Sequence, residues 1–212
     1  SHFIGTKNFI EIIKKFKSNI KFFKANSGYI FKPYEGKIKL DCKLSSNKNP
    51  YIKTQKKVFE LIKRYRKYNL SLYSLIFLQV ESPLRKKDFF IKKVCLHAKN
   101  KKNITVGNIE TFRDYSWAPE VVKSIYYLSK LTPRDIILSS GFGIMGREIL
   151  KIAYKQNKLN YKKYFKVNKK FYRKEDTILI GKQNNTKILY KKFGFKFSIY
   201  GSKLVKKMYR EI

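Results

Sequence analysis

Acidic residues are scarce in this chain: 14 Asp and Glu stand against 50 Lys and Arg, a formal net charge of +36. An imbalance of that size is expected of a protein that lives against a polyanion such as RNA. A/T-rich codon usage would raise lysine, and Ile, Asn, Phe and Tyr are abundant as well. It leaves the shortage of Asp and Glu unexplained, because their codons are similarly A-rich. The basic residues are spread along the whole length rather than gathered in a tail, which suits a protein surrounded by its partner.

Cysteine and histidine are nearly missing too. Cys42 and Cys95 lie far apart and His2 and His97 are isolated, so no metal-ligand spacing exists and no metal site is predicted. Two reduced cysteines fit an intracellular compartment. No run approaches the roughly 18 apolar residues of a membrane span. The opening SHFIGTKNF has neither a signal-peptide apolar stretch nor an Arg- and Ser-rich transit pattern. Internal repeats, a long linker and a low-complexity tail are lacking as well. What is there is 43% hydrophobic and 16% aromatic residues over 212 positions, enough for a packed core and too much for general disorder.

The periodicity predicts alternating helices and strands. Asn8 to Lys17 sets Phe9, Ile12, Ile13 and Phe16 on one face at helical spacing. IKFFKA (Ile20–Ala25) reads as a short strand, residues 26–50 as loop, and Tyr51–Tyr68 as a helix. Leu72–Val80 is the most apolar stretch and reads as a strand; helices are predicted at Phe89–Ala98, Trp117–Leu131, Met145–Gln156, Thr186–Phe193 and from Ser202 on. Shorter strands are predicted at Ile104–Val106, Asp135–Ser139 and Thr177–Gly181. The alternation is α/β, with a later part of α+β character.

Several segments are similar, in order and in register, to the GDP-mannose 4,6-dehydratase family of extended short-chain dehydrogenases. ESPLRKKDFFIKK (Glu81–Lys93) resembles that family's Glu-Ser-Pro-Arg-Arg segment, and ITVGNIETFRDYSWAPEVV (Ile104–Val122) its Gly-Asn and Arg-Asp-Trp motif, with Tyr115 in the Trp position. GFGIMGREIL (Gly141–Leu150) and KKFYRKED (Lys169–Asp176) match two further segments. IKFFKANSGYIFK (Ile20–Lys32) resembles the strand with the catalytic Ser/Thr, and NPY (Asn49–Tyr51) the start of the Tyr-x-x-x-Lys helix. The resemblance implies a partial Rossmann-like fold lacking the first βαβ cofactor unit. Residues 1–80 would be a remnant of the Rossmann-like domain and residues 81–212 a smaller sugar-nucleotide-binding-like α+β region packed with it.

The resemblance also implies NADP chemistry, needing a Tyr base with a Lys one turn later, a Ser/Thr for the sugar hydroxyl and a Glu for the C5 proton. Ser27 and Tyr51 stand at two of those positions. Tyr29 replaces the Glu and Gln55 replaces the Lys, while Lys56 is about 100° around the helix. No Gly-rich turn for NADP is identified, so no cofactor is expected. Glu81, Gly107, Asn108, Arg147 and Arg173 match sugar-nucleotide positions, but GDP-sugar binding is not expected to survive.

Basic clusters supply candidate phosphate contacts. These are Lys63, Arg66 and Lys67 on a helix, Arg85, Lys86 and Lys87 in a loop, and Lys162, Lys163, Lys169 and Lys170 among aromatics. For that aromatic segment, inward-packed rings with solvated lysines are the favoured expectation. The chain is therefore expected to be a non-catalytic dehydratase relic contacting rRNA and neighbouring proteins, for instance in a mitochondrial ribosome. The alternatives are a dehydratase completed by another chain or segment, and a scaffold subunit of another complex.

Overall fold

The computed structural model describes residues 2–17, 19–33, 36–172 and 179–212. The chain opens with helix α1 (His2–Lys15), strand β1 (Phe22–Ser27), the short β2 (Lys37–Ile38) and α2 (Pro50–Arg66). The start of α2 is fixed locally. The Asn49 side chain accepts from the Tyr51 amide at 2.9 Å, and Pro50, which has no N–H to leave unpaired, fills the first turn. Then come β3 (Leu72–Phe77), β4 (Gln79–Glu81), α3 (Phe90–Lys99), β5 (Ile104–Val106), β6 (Phe112–Trp117) and α4 (Ala118–Leu128). The order closes with β7 (Asp135–Leu138), β8 (Gly143–Met145), α5 (Gly146–Lys155), β9 (Phe165–Val167), β10 (Ile180–Gly181), α6 (Lys187–Phe193) and α7 (Gly201–Glu211).

Three parallel strands in the order β1-β3-β7 form the central sheet. Its middle strand is apolar on both faces, as a covered parallel strand must be. Leu72 packs with Ile10 of α1 and Val58, Leu61 and Ile62 of α2, and Ile76 with Phe59 and Ile137. Tyr73 and Leu75 point the other way, toward Val121 and Leu128 of α4 and Leu189 of α6. A second core gathers α3, α5 and α7 around Ile91, Val94, Ile149, Leu150, Leu204 and Met208, beside strands β4-β6-β8 and β5-β9. Glu120 in the first turn of α4 accepts from the Ser198 amide and hydroxyl and the Ile199 amide, which ties the approach to α7 onto α4.

Packing continues across residue 80: β7 pairs with β3, and α4 and α6 cover the first sheet. Two expectations are corrected. The run predicted as one strand over Leu72–Val80 is two, β3 and β4, and they belong to different sheets. On α1 the buried residues are Thr6, Ile10 and Ile13, while Phe9, Ile12 and Phe16 are 61%, 54% and 70% exposed. At 100° per residue Ile10 and Ile13 form a face of their own, and it is that face which meets α2.

Candidate functional site

The residues matched by resemblance to catalytic positions lie at the end of β1 and in the first turns of α2. Ser27 closes β1, and its hydroxyl accepts from the Tyr29 amide at 3.3 Å, capping a single turn over Gly28–Ile30. Asn26, buried next to it, donates its side-chain N–H to the Gln55 carbonyl at 3.2 Å and so fastens the strand to α2. Gln55 is only 2% exposed, and its side-chain oxygen has no partner. Lys56 turns away: its ammonium donates to the Ser45 carbonyl at 2.6 Å. Tyr51, half exposed in the first turn of α2, lies edge-on to His2 with ring centroids 6.3 Å apart. Position 55 thus carries a neutral amide, and the ammonium at position 56 is held by a backbone carbonyl.

A cleft of about 520 Å³ opens beside β4 and β6. Glu81, Gly107, Asn108 and Tyr29 line it, together with Arg85, Arg113 and Lys170. Glu81 is 1% exposed; its Oε1 accepts from Arg85 at 2.7 Å, and its Oε2 has no hydrogen-bond partner among the described residues. Burial pushes this carboxyl up to about 7, outweighing the Arg85 guanidinium that pulls the other way. Arg85 also donates to the Val80 carbonyl at 2.9 Å and stacks 3.4 Å from the Phe89 ring centroid. The Lys92 ammonium holds the same turn through the Pro83 and Arg85 carbonyls, at 2.5 and 2.6 Å. Gly107 is required by close approach: a Cβ there would stand 2.7 Å from the Phe171 carbonyl oxygen.

Asp114, on the strand whose Arg113 and Tyr115 line the cleft, was not singled out by sequence reasoning beyond its place in the Arg-Asp motif. Fully buried on β6, its carboxylate accepts from the Ser140 hydroxyl at 2.6 Å and from the amides of Gly141 at 2.8 Å and of Ser140 and Gly181, both at 3.2 Å. Burial raises its pKa, opposed by these donors. Gly141 takes φ +81 there, a conformation that favours glycine.

The other predicted residues scatter. Arg147 is exposed and ion-paired with Glu110, and it does not line the cleft. Arg173 lies outside the described residues. Arg66 is corrected as a free phosphate cation: it bonds Asp135 at 2.6 Å and the Leu72 carbonyl at 2.9 Å, joining α2 to the sheet. Arg85 is likewise engaged by Glu81. Lys63, Lys67, Lys86, Lys87, Lys162, Lys163, Lys169 and Lys170 are exposed. In the aromatic segment Tyr161, Tyr164 and Phe165 pack on the second core, as expected, whereas Phe171 and Tyr172 are 55% and 46% exposed.

One motif escapes the sequence reading. Gly141, Gly143 and Gly146 carry the G-x-G-x-x-G spacing between β7 and α5. They do not fit a dinucleotide. Residues 143–145 form β8, paired antiparallel with β6, instead of a tight turn into the helix. Gly146 and Arg147 donate their amides to the Thr111 and Ile109 carbonyls, and the Glu148 carboxylate caps the Met145 amide. The helix N-terminus that would face a pyrophosphate is closed by the protein's own oxygens.

The sequence profile of the family described as GDP-mannose 4,6 dehydratase matches residues 1–208. The chain belongs to the GDP-mannose 4,6-dehydratase family. Its fold is similar to that of dTDP-glucose 4,6-dehydratase from Bacillus anthracis in complex with NAD. The TM-score is 0.83 at 14% identity, over 99% of this chain and 68% of that one. RMD from Pseudomonas aeruginosa complexed with NADPH matches with TM-score 0.80 and 16% identity, over 99% and 72%. The UDP-glucose 4-epimerase of Thermus thermophilus in complex with NAD matches with TM-score 0.78 and 17% identity, over 99% and 70%. The α/β, partial Rossmann-like short-chain dehydrogenase fold is thus shared with dehydratases and epimerases. No helix among the described residues is long and apolar enough to cross a membrane, and no group of metal-binding side chains occurs among them.

Proposed function

We propose that this dehydratase-family protein is non-catalytic and serves as a structural, RNA-contacting component of a ribonucleoprotein assembly, such as a mitochondrial ribosome. The observation that carries the reading is the charge: 50 basic residues against 14 acidic ones. Neither sugar-nucleotide chemistry nor folding calls for such an excess, whereas phosphate neutralisation does. The catalytic corner supports the non-catalytic half. Tyr29 and Gln55 replace the carboxylate and the ammonium, and Lys56 is engaged elsewhere. Replacing one general acid–base group costs a factor of about 10²–10⁴ in rate, so losing two leaves little. Co-purification tests the reading: rRNA and ribosomal proteins are expected with the native protein, released steeply as salt rises. A salt-insensitive complex free of RNA would count against it.

A second reading keeps an enzyme, a GDP-mannose 4,6-dehydratase completed by another chain or segment. The cleft favours it, because Glu81, Gly107 and Asn108 still line one cavity. Conversion of GDP-mannose to the 4-keto-6-deoxy product with added NADP would establish it.

A further inference from the structure

The cleft has features that neither catalysis nor packing uses. Three aromatic rings, Phe89, Phe171 and Tyr172, meet at it while remaining 41%, 55% and 46% exposed. Large apolar surface left in water and gathered around one cavity marks a place where something flat and apolar docks. One face of Phe89 is already covered by the Arg85 guanidinium. Lys170 lines the same cleft and makes no hydrogen bond or ion pair through its ammonium among the described residues. From there an exposed line of Lys169, Lys166, Lys163 and Lys162 follows the chain back along β9, whose apolar side is packed inward through Phe165. Aromatic faces and a cationic track leading away are the elements of single-strand recognition. Bases stack and bond in a pocket while the backbone runs over lysines.

We infer that the cleft bounded by Phe89, Phe171 and Tyr172 takes an unstacked nucleotide of single-stranded RNA, whose phosphates continue along Lys170, Lys169, Lys166 and Lys163. The volume of about 520 Å³ lies within the roughly 300–1,000 Å³ of small-ligand pockets. It is large enough for one base with its ribose and too small for a duplex. The inference deepens the RNA-contacting reading and rests on it.

The test uses the full-length chain and a short unstructured RNA oligonucleotide, with affinity followed against salt. The combined variant Phe171→Ala, Tyr172→Ala is expected to bind about 10- to 100-fold more weakly at unchanged salt slope, because stacking is lost and phosphate contacts are kept. Lys169→Ala with Lys170→Ala is expected to lower the salt slope by about 0.7–1.4 units, at roughly 0.7 per phosphate contact in single strands. Both pairs are exposed, and unaltered thermal melting confirms folding. Photocrosslinking of a 4-thiouridine-containing oligonucleotide to the unmodified chain should map to residues 89, 171 or 172. Wild-type affinity in the aromatic variant, or crosslinks confined to other surfaces, overturns the cleft assignment while leaving RNA contact intact. Absence of any RNA binding overturns both. Full displacement of the oligonucleotide by a free mononucleotide or GDP-mannose at equal concentration also overturns it, since the cleft would then hold a small nucleotide ligand.

Discussion

At the corner between β1 and α2, the residues in the family's catalytic positions are a serine tied into its own turn, a buried amide and an exposed tyrosine. In the cleft beside β4 and β6, a carboxylate, two guanidiniums and three partly exposed rings converge. The first region presents neutral side chains, whereas the cleft holds Glu81, Arg85 and Arg113. The cleft retains buried charge, which is costly to keep unless structure or binding requires it. On the proposed reading, the difference separates chemistry, at the corner, from recognition, in the cleft.

Four substitutions sharpen that contrast. Asp114→Ala should have the largest effect, about 3–5 kcal/mol of lost stability in urea unfolding, since four buried donors lose their acceptor. A loss below about 1 kcal/mol would show that the segments at Ser140–Gly141 and Gly181 are held to β6 by apolar packing instead.

Glu81 predicts a pH dependence. Its folded-state value of about 7 lies above the ordinary 4.5, so the unfolded chain gives up the proton first. Its stabilising contribution is complete below about pH 4.5 and is lost as pH rises to about 7, an effect on the order of 3 kcal/mol. Asp114, also raised by burial, acts in the same sense. Glu81→Gln should flatten the stability profile between pH 4.5 and 7 in thermal melts. An unchanged profile would mean that the carboxyl is hydrated in solution. Gly107→Ala should cost about 1–3 kcal/mol, because the Phe171 backbone must give way to the new methyl. Tyr51→Phe, at the corner, should change stability by less than about 0.5 kcal/mol and leave RNA affinity untouched. A clear effect on either would restore a role to the corner.

Much of the fold was legible because local and global signals agree. The Asn-Pro start of α2 and the largely apolar run at Leu72–Phe77 point to a helix and a strand, although the end of that strand was not read. β6 was not legible, since FRDYSW carries Arg113 and Asp114 into the interior, and only tertiary partners make that burial tolerable. The face of α1 was misjudged because Phe9, Ile12 and Phe16 outweigh Ile10 in apolar content, while the position of α2 decides burial. In the site, the replaced residues at 29 and 55 could be read by resemblance. The engagement of Lys56 by a backbone carbonyl, of Arg66 by Asp135 and of Arg85 by Glu81 could not, because each depends on a loop or strand brought alongside by folding.

The most direct test of the central claim is sedimentation of the native protein from cell extract at increasing salt, with RNA and GDP-mannose-converting activity followed across the gradient. The account predicts that the protein travels with rRNA at low salt, leaves it as salt rises and carries no activity in either position. Migration apart from RNA at every salt concentration, together with conversion of GDP-mannose in the same fractions, would contradict it.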